Sequence, residues 1–134
     1  MNHNNLTIFF VSYYSKTTIQ KLLKKINKNI QVLIVDNAQE KNLKKELEKK
    51  FKNVKVIISK RNLGQTGGIN IGLRNIKTKY SLYMDSDINF KSNTIDLFLK
   101  YANKVKDFII LGPQHEKSRY PKSFISKKKS EYLD

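Results

Sequence analysis

Five short, largely apolar runs punctuate this chain, and one segment of helical periodicity lies between each neighbouring pair. The runs are residues 6–12, 32–35 (ending at Asp36), 54–59, 80–85 and 108–111. Residues 17–27 carry Ile19, Leu22, Leu23 and Ile26 at the spacing of one helix face. Residues 40–51 repeat it with Leu43, Leu47 and Phe51, and the stretch after Gly68 with Ile69, Gly72, Leu73 and Ile76. A fourth helix is expected after a cap at Asn93, with Ile95, Phe98, Ala102 and Val105 facing inward. Ser15 or Thr17 would cap the first helix, and Glu46–Lys50 and Glu48–Lys52 pairs would support the second. Strands that are apolar throughout, each followed by a single helix, predict a parallel sheet covered on both faces. With right-handed crossovers the expected fold class is α/β, doubly wound, mainly parallel, and truncated after about five strands. Gly112-Pro113 stops the pattern. Residues 1–113 are therefore expected to form the domain, and 114–134, Lys-rich and aperiodic with a charge run at 127–129, a poorly ordered tail.

The chain's 134 residues suit one domain. It has no Cys, which removes disulfides, thiolate metal sites and a Cys nucleophile. Its apolar runs are too short to span a bilayer, and no Lys or Arg precedes the first of them, so a cytoplasmic protein is expected. The 27 Lys+Arg against 11 Asp+Glu leave a net charge of +16. That invites a nucleic-acid reading. But only Arg61, Arg74 and Arg119 are Arg, and bidentate reading of bases or phosphates favours Arg. Lys, Asn and Ile are abundant together, the signature of AT-rich coding. The charge thus predicts no specific nucleic acid, only weak phosphate or anionic-membrane attraction at the inner membrane face.

In open α/β sheets ligands bind at the carboxyl ends of the strands. Four polar clusters fall there: Ser12-Tyr13-Tyr14, Asp36-Asn37, the 62–68 loop and Asp85-Ser86-Asp87. Asp85 and Asp87 are two apart, and in extended chain such residues share a side. Two carboxylates aimed together suit Mg²⁺ or Mn²⁺ that substrate phosphates also hold. The alternative is an ordinary strand-end turn, where Asp is common. Gly64, Gly67 and Gly68 precede a helix whose free N–H groups could meet phosphate. No Lys-Ser/Thr follows them and no Gly follows the first strand, which excludes a P-loop and the dinucleotide fingerprint. Asp36 is either an acceptor for a base or ribose, or a turn residue. Tyr13 and Tyr14 could offer a ring to a base, but alternation along a strand would turn one of them into packing. His3 and His115 have no nucleophile nearby in sequence.

Val11-Ser12-Tyr13-Tyr14-Ser15, Val35-Asp36-Asn37-Ala38, Asn62-Leu63-Gly64 with Gly67-Gly68-Ile69-Asn70-Ile71-Gly72, and Tyr83-Met84-Asp85-Ser86-Asp87 together resemble the family 2 inverting glycosyltransferases of the GT-A fold. The Gly-Gly-x-Asn-x-Gly form is similar to their rhamnosyltransferase-like branch. The resemblance covers residues 6–113. It implies that Ser12 and Tyr13 line a nucleotide pocket and that Asp36 bonds the pyrimidine. Asn62, Gly64, Gly67, Gly68 and Asn70 would shape the ribose-diphosphate side. Asp85 would contact ribose or metal, and Asp87 would hold Mg²⁺ or Mn²⁺ on the diphosphate. The implied reaction moves a sugar, with inversion, from a UDP- or dTDP-sugar to a glycan or lipid-linked acceptor. Tyr14 stands where the family has Asn. The family's general base comes from a later segment; of the downstream carboxylates Glu116, Glu131 and Asp134, none sits in a recognisable motif. The expectation is thus the donor-binding half of a transferase in residues 1–113, with 114–134 either a poorly ordered tail or the start of a missing acceptor half, and with self-association of an uncovered edge. Its rivals are a non-catalytic nucleotide-sugar-binding module and a basic nucleic-acid-binding α/β domain.

Overall fold

The computed structural model describes residues 2–105, 107–112, 124–126 and 131–132. They fall into two compact units, which divide at Ser92/Asn93 and not at the 113/114 boundary expected from composition.

The first unit holds β1 (Leu6–Ser12), α1 (Lys16–Leu23), β2 (Gln31–Asp36), α2 (Leu43–Lys50), β3 (Val54–Ile58), α3 (Gly64–Asn75) and β4 (Tyr80–Tyr83). The sheet order is β3-β2-β1-β4, and every pairing is parallel. β1 is central: Phe9 lies opposite Leu33 on one side and Tyr83 on the other. Ile8, Phe9 and Phe10 are all buried, as a strand covered on both faces requires. The chain steps outward from β1 through β2 to β3, and then α3 carries it back to the far side of β1. Right-handed crossovers in opposite directions put α1 and α2 on one face and α3 on the other. Lys16 at the start of α1 pairs with Glu46 of α2. The doubly wound, parallel architecture therefore stands.

Several element details differ from the sequence expectation. The buried face of α3 is Gly68 and Gly72, whereas Leu73 is 48% exposed. A Cβ on Gly72 would lie 2.6 Å from the Phe9 ring, and one on Gly68 2.6 Å from Val11 Cγ1. The helix packs by backbone approach, so its apolar periodicity marked the wrong stripe. It also begins at Gly64, before the other glycines. α1 stops at Leu23, short of residue 27, although Ile26 is still buried. Its N-cap residue Ser15 makes no side-chain capping bond; the hydroxyl donates to Tyr13 O instead. α2 begins at Leu43, because Asn42 takes a left-handed φ of 72° and Glu40 N–H is already bound by Asp36. Glu46 pairs with Lys16, and Glu48 accepts from Val56 N–H and lies 4.0 Å from Lys44, so neither expected i,i+4 pair forms.

The second unit holds α4 (Thr94–Lys104), β5 (Ile110–Leu111), β6 (Phe124–Ser126) and β7 (Glu131–Tyr132). α4 buries Ile95, Leu99 and Ala102 rather than Phe98, and its N-cap Asn93 makes no side-chain bond. The fifth strand is shorter than expected and pairs antiparallel with β6, not with the parallel sheet. β6 and β7 lie inside the segment expected to be an unordered tail. The other residues from 113 onward, with the 127–129 charge run, lie outside the described residues. No helix among the described residues is long and apolar enough to cross a membrane.

Candidate functional site

Parallel strands send all four carboxyl ends to one rim, and the reversal of strand order leaves a crevice there between β1 and β4. A cavity of about 700 Å³ opens at this rim, and its described lining residues belong to the first unit.

Tyr13 and Tyr14, just beyond β1, line the cavity. Both are exposed, and their rings meet nearly edge-on at 4.8 Å. The expectation that one would turn inward fails because the strand ends at Ser12 and Tyr14 adopts a left-handed φ of 53°. Asn tolerates that conformation better than Tyr does. Ser12 is fully buried and is not among the residues that line the cavity; its hydroxyl has no hydrogen-bond partner among the described residues.

β2 ends in Asp36, which is also fully buried and away from the cavity wall. Its carboxylate accepts from Ala38 N–H at 3.0 Å and from Glu40 N–H at 2.7 Å. Of the two readings weighed for it, the turn is the one its contacts display. Asn37, the residue that follows β2, is on the cavity wall. Its Nδ2 donates to Gly64 O at 2.7 Å, tying the β2 end to the start of α3, and its buried Oδ1 has no partner among the described residues.

After β3, Asn62 Oδ1 accepts from Gly64 N–H at 2.9 Å and holds the turn into α3. Gly64 has φ +66°, which only glycine adopts freely. Asn62, Gly64 and Gln65 line the cavity. The N-cap residue Leu63 makes no side-chain capping bond, so apart from Gly64 N–H the first-turn N–H groups of α3 are left for an anion at the cavity rim. Gly67, Gly68 and Asn70 do not line it. Because the helix starts at Gly64, these residues have already turned away: Gly67 crowds Leu63, and Gly68 lies against Val11 and Asn37.

β4 contributes Tyr83, with Asp85, Ser86 and Asp87 just beyond it. The strand ends at Tyr83, and residues 85–88 form a turn in which Ile88 N–H reaches Asp85 O. Strand alternation therefore cannot aim the two carboxylates together, yet both are exposed and line the same cavity. The Tyr83 hydroxyl donates to Asp85 Oδ1 at 2.8 Å, and Gln65 Nε2 reaches both groups. Burial, then the bond to Asp85, raises the Tyr83 pKa, so the phenol stays a proton donor. Among the described residues no three His, Cys, Asp or Glu side chains gather. Two exposed hard-oxygen donors fit a cation such as Mg²⁺ or Mn²⁺ that draws its remaining ligands from phosphate and water.

The rim thus joins Tyr13, Asn62, Gly64, Asp85 and Asp87 in one cavity, and leaves Ser12, Asp36, Gly67, Gly68 and Asn70 behind it. Tyr14, Asn37, Gln65 and Tyr83 are among the additions. Tyr14, Asn37 and Tyr83 sit within the motifs named above, and Gln65 falls between Gly64 and Gly67 in the 62–68 loop.

The glycosyl transferase family 2 model matches residues 7–129. The chain belongs to glycosyl transferase family 2. An uncharacterized glycosyltransferase of Rickettsia conorii is 29% identical over 113 residues, 81% of this chain and 18% of that protein. One of Rickettsia felis is 26% identical over 100 residues, 74% of this chain and 16% of that protein. The chain therefore spans under a fifth of the length of these relatives. The crystal structure of Staphylococcus aureus TarS 1–349 in complex with UDP superposes with a TM-score of 0.64 at 19% identity, over 86% of this chain and 43% of that one. A Pyrobaculum calidifontis mannosyltransferase in complex with GDP-Man and Mn²⁺ gives 0.63 at 16%, over 72% of this chain and 32% of that one. At these identities the likeness is one of fold, and it agrees with the GT-A, Rossmann-like architecture.

Proposed function

We propose that this chain is the donor-binding part of a metal-dependent inverting glycosyltransferase, taking a UDP- or dTDP-sugar. The observation that carries the reading is the cavity at the β1/β4 crevice, where Asp85 and Asp87 and the uncapped first turn of α3 line one wall system. The structures of similar fold that hold UDP, or GDP-Man with Mn²⁺, support it. In this reading Tyr13 offers its exposed ring to the base. Asn62 and Asn37 fix the start of α3, so that its N–H groups face the diphosphate. Ser12 and Asp36 act from behind the wall, Asp36 by holding the turn after β2, and Gly67 and Gly68 seat α3, while Asn70, exposed on that helix, takes no contact in this reading. Asp85 and Asp87 would hold Mg²⁺ or Mn²⁺, which neutralises charge on the leaving diphosphate when bound. A hydroxyl of a glycan or lipid-linked acceptor would displace that diphosphate from the anomeric carbon with inversion. The described cavity wall has no other carboxylate to serve as base, so the acceptor side is assigned to residues outside it. The Lys-rich surface and the lack of a spanning helix in the described residues fit a cytoplasmic protein with weak contact to an anionic membrane.

Calorimetry with UDP, dTDP and GDP, each in Mn²⁺ and in EDTA, tests the proposal. Binding of UDP or dTDP that Mn²⁺ tightens is the expected result. Equal affinity in Mn²⁺ and EDTA removes the metal role, and no binding of any nucleotide removes the donor site.

A further inference from the structure

Asp85 is held by one oxygen. Its Oδ1 accepts from the Tyr83 hydroxyl at 2.8 Å and from Gln65 Nε2 at 3.3 Å, while Gln65 Nε2 also donates to the Tyr83 oxygen at 2.9 Å. The proton count closes: the single phenol proton goes to Asp85, and the two amide protons of Gln65 are divided between Tyr83 and Asp85. No described residue donates to Oδ2. The three side chains come from three places, the first turn of α3, the end of β4 and the turn after it. The Tyr83 ring rests on Phe9 at 5.2 Å, and Phe9 in turn lies against the Gly72 backbone. The clamp is therefore rooted in the core, although the carboxylate it grips is exposed.

The fold has no need of this grip. An exposed carboxylate is well solvated, and fixing its rotamer along with those of Gln65 and Tyr83 costs conformational entropy. The arrangement gains meaning if Asp85 must present a set oxygen to a ligand in the cavity.

We propose that Gln65 and Tyr83 are positioning residues that occupy Oδ1 of Asp85, so that the donor nucleotide complex meets Oδ2 alone. The inference rests on the donor-site reading and deepens it. Neither residue touches the ligand in this role; they set the place and orientation of the group that does.

The test is calorimetry of the 134-residue chain with UDP, in Mn²⁺ and in EDTA, alongside Tyr83→Phe and Gln65→Glu. Tyr83→Phe keeps the ring on Phe9 and removes only the hydroxyl. The expected result is an affinity for UDP in Mn²⁺ about tenfold weaker, with Tm within about 2 °C of wild type, as for a substitution that leaves the core intact. A loss confined to the Mn²⁺ arm assigns Oδ2 to the cation; an equal loss in both arms assigns it to a ribose hydroxyl. Either supports positioning, and a simple loss of fold would lower Tm as well. Unchanged affinity in both arms at unchanged Tm overturns the proposal. Gln65→Glu is isosteric and replaces the donor with an acceptor, so it should weaken binding in the same arm. If it instead tightens binding in Mn²⁺, Gln65 occupies a ligand position and the positioning role is wrong. A wild-type chain that binds UDP in neither arm overturns the donor-site reading, and this inference with it.

Discussion

Asp36 closes β2 and Asp85 follows β4, the two strands that flank β1, and the same side chain has opposite fates there. Asp36 is fully buried, with both oxygens bound by backbone N–H groups of the next turn. Asp85 is exposed, with one oxygen clamped and the other without a donor among the described residues. Position at a strand end does not make a carboxylate available to a ligand. The turn that follows decides, by claiming its oxygens or leaving them. After β2 the chain curls back over Asp36; after β4 it turns outward through Ser86 and Asp87.

That contrast breaks most visibly at Asp36. Asp36→Ala leaves two N–H groups without their acceptor, and urea unfolding should show a loss of about 3 kcal/mol. Asp36→Asn keeps one acceptor oxygen and should lose about half of that, a gradation expected of a turn. If Asp36→Ala folds as stably as wild type yet fails to bind UDP, the base-binding reading returns. Asp87→Ala should behave the other way. Its side chain is exposed, so stability should stay within about 0.5 kcal/mol, while the affinity gained from Mn²⁺ disappears. Retention of the Mn²⁺ effect in that variant would move the cation elsewhere.

Two smaller effects sharpen the picture. Tyr14→Asn relieves a left-handed backbone worth about 1–2 kcal/mol but gives up the edge contact with Tyr13, worth about 0.5–1.5. A net gain of about 0.5 kcal/mol is expected in urea; a clear loss would mean that the ring contact dominates. The smallest effect concerns Glu40. Burial, then the neighbouring Asp36 charge, raises its pKa above the ordinary 4.5, and Lys16 only partly offsets this. A carboxyl harder to ionise folded than unfolded weakens the fold as pH rises from its unfolded value through its folded one. Glu40→Gln should therefore raise Tm at pH 7, and the gain should vanish below about pH 4. Thermal melts at both pH values check it; a gain that persists in acid would have another origin.

The strands were legible because burial on both faces writes itself as uninterrupted apolar runs, and β1 begins and ends where its sequence says. The packed face of α3 was not. Glycine carries no hydropathy signal, so Gly68 drew attention as a ligand contact and Gly72 was grouped with Leu73, when Gly68 and Gly72 are where helix and strand meet. β6 and β7 escaped for a related reason: pairings of two or three residues are too short to set a period. At the site, types of residue were readable and their engagement was not. Nothing in the letters around Asp36 announces that its own turn satisfies it, and nothing around Gln65 announces a bond to Tyr83 across the rim.

The glycine seam of α3 also limits how this chain can change. Gly68 and Gly72 are one turn apart, and the cavity residues Gly64 and Gln65 lie one turn before them on the same rod. An extra residue between Gln65 and Gly68 would rotate one part of the helix against the other by about 100°. Either the glycines would leave Phe9 and Val11, or Gln65 would leave the rim. Lengthening the connection at residues 60–61 carries no such penalty, because that segment precedes both the rod and the Asn62 bond that starts it. Tolerated insertions on this side of the sheet should accumulate before Asn62 and be absent within α3, so the cavity wall and the helix seat are inherited as one piece.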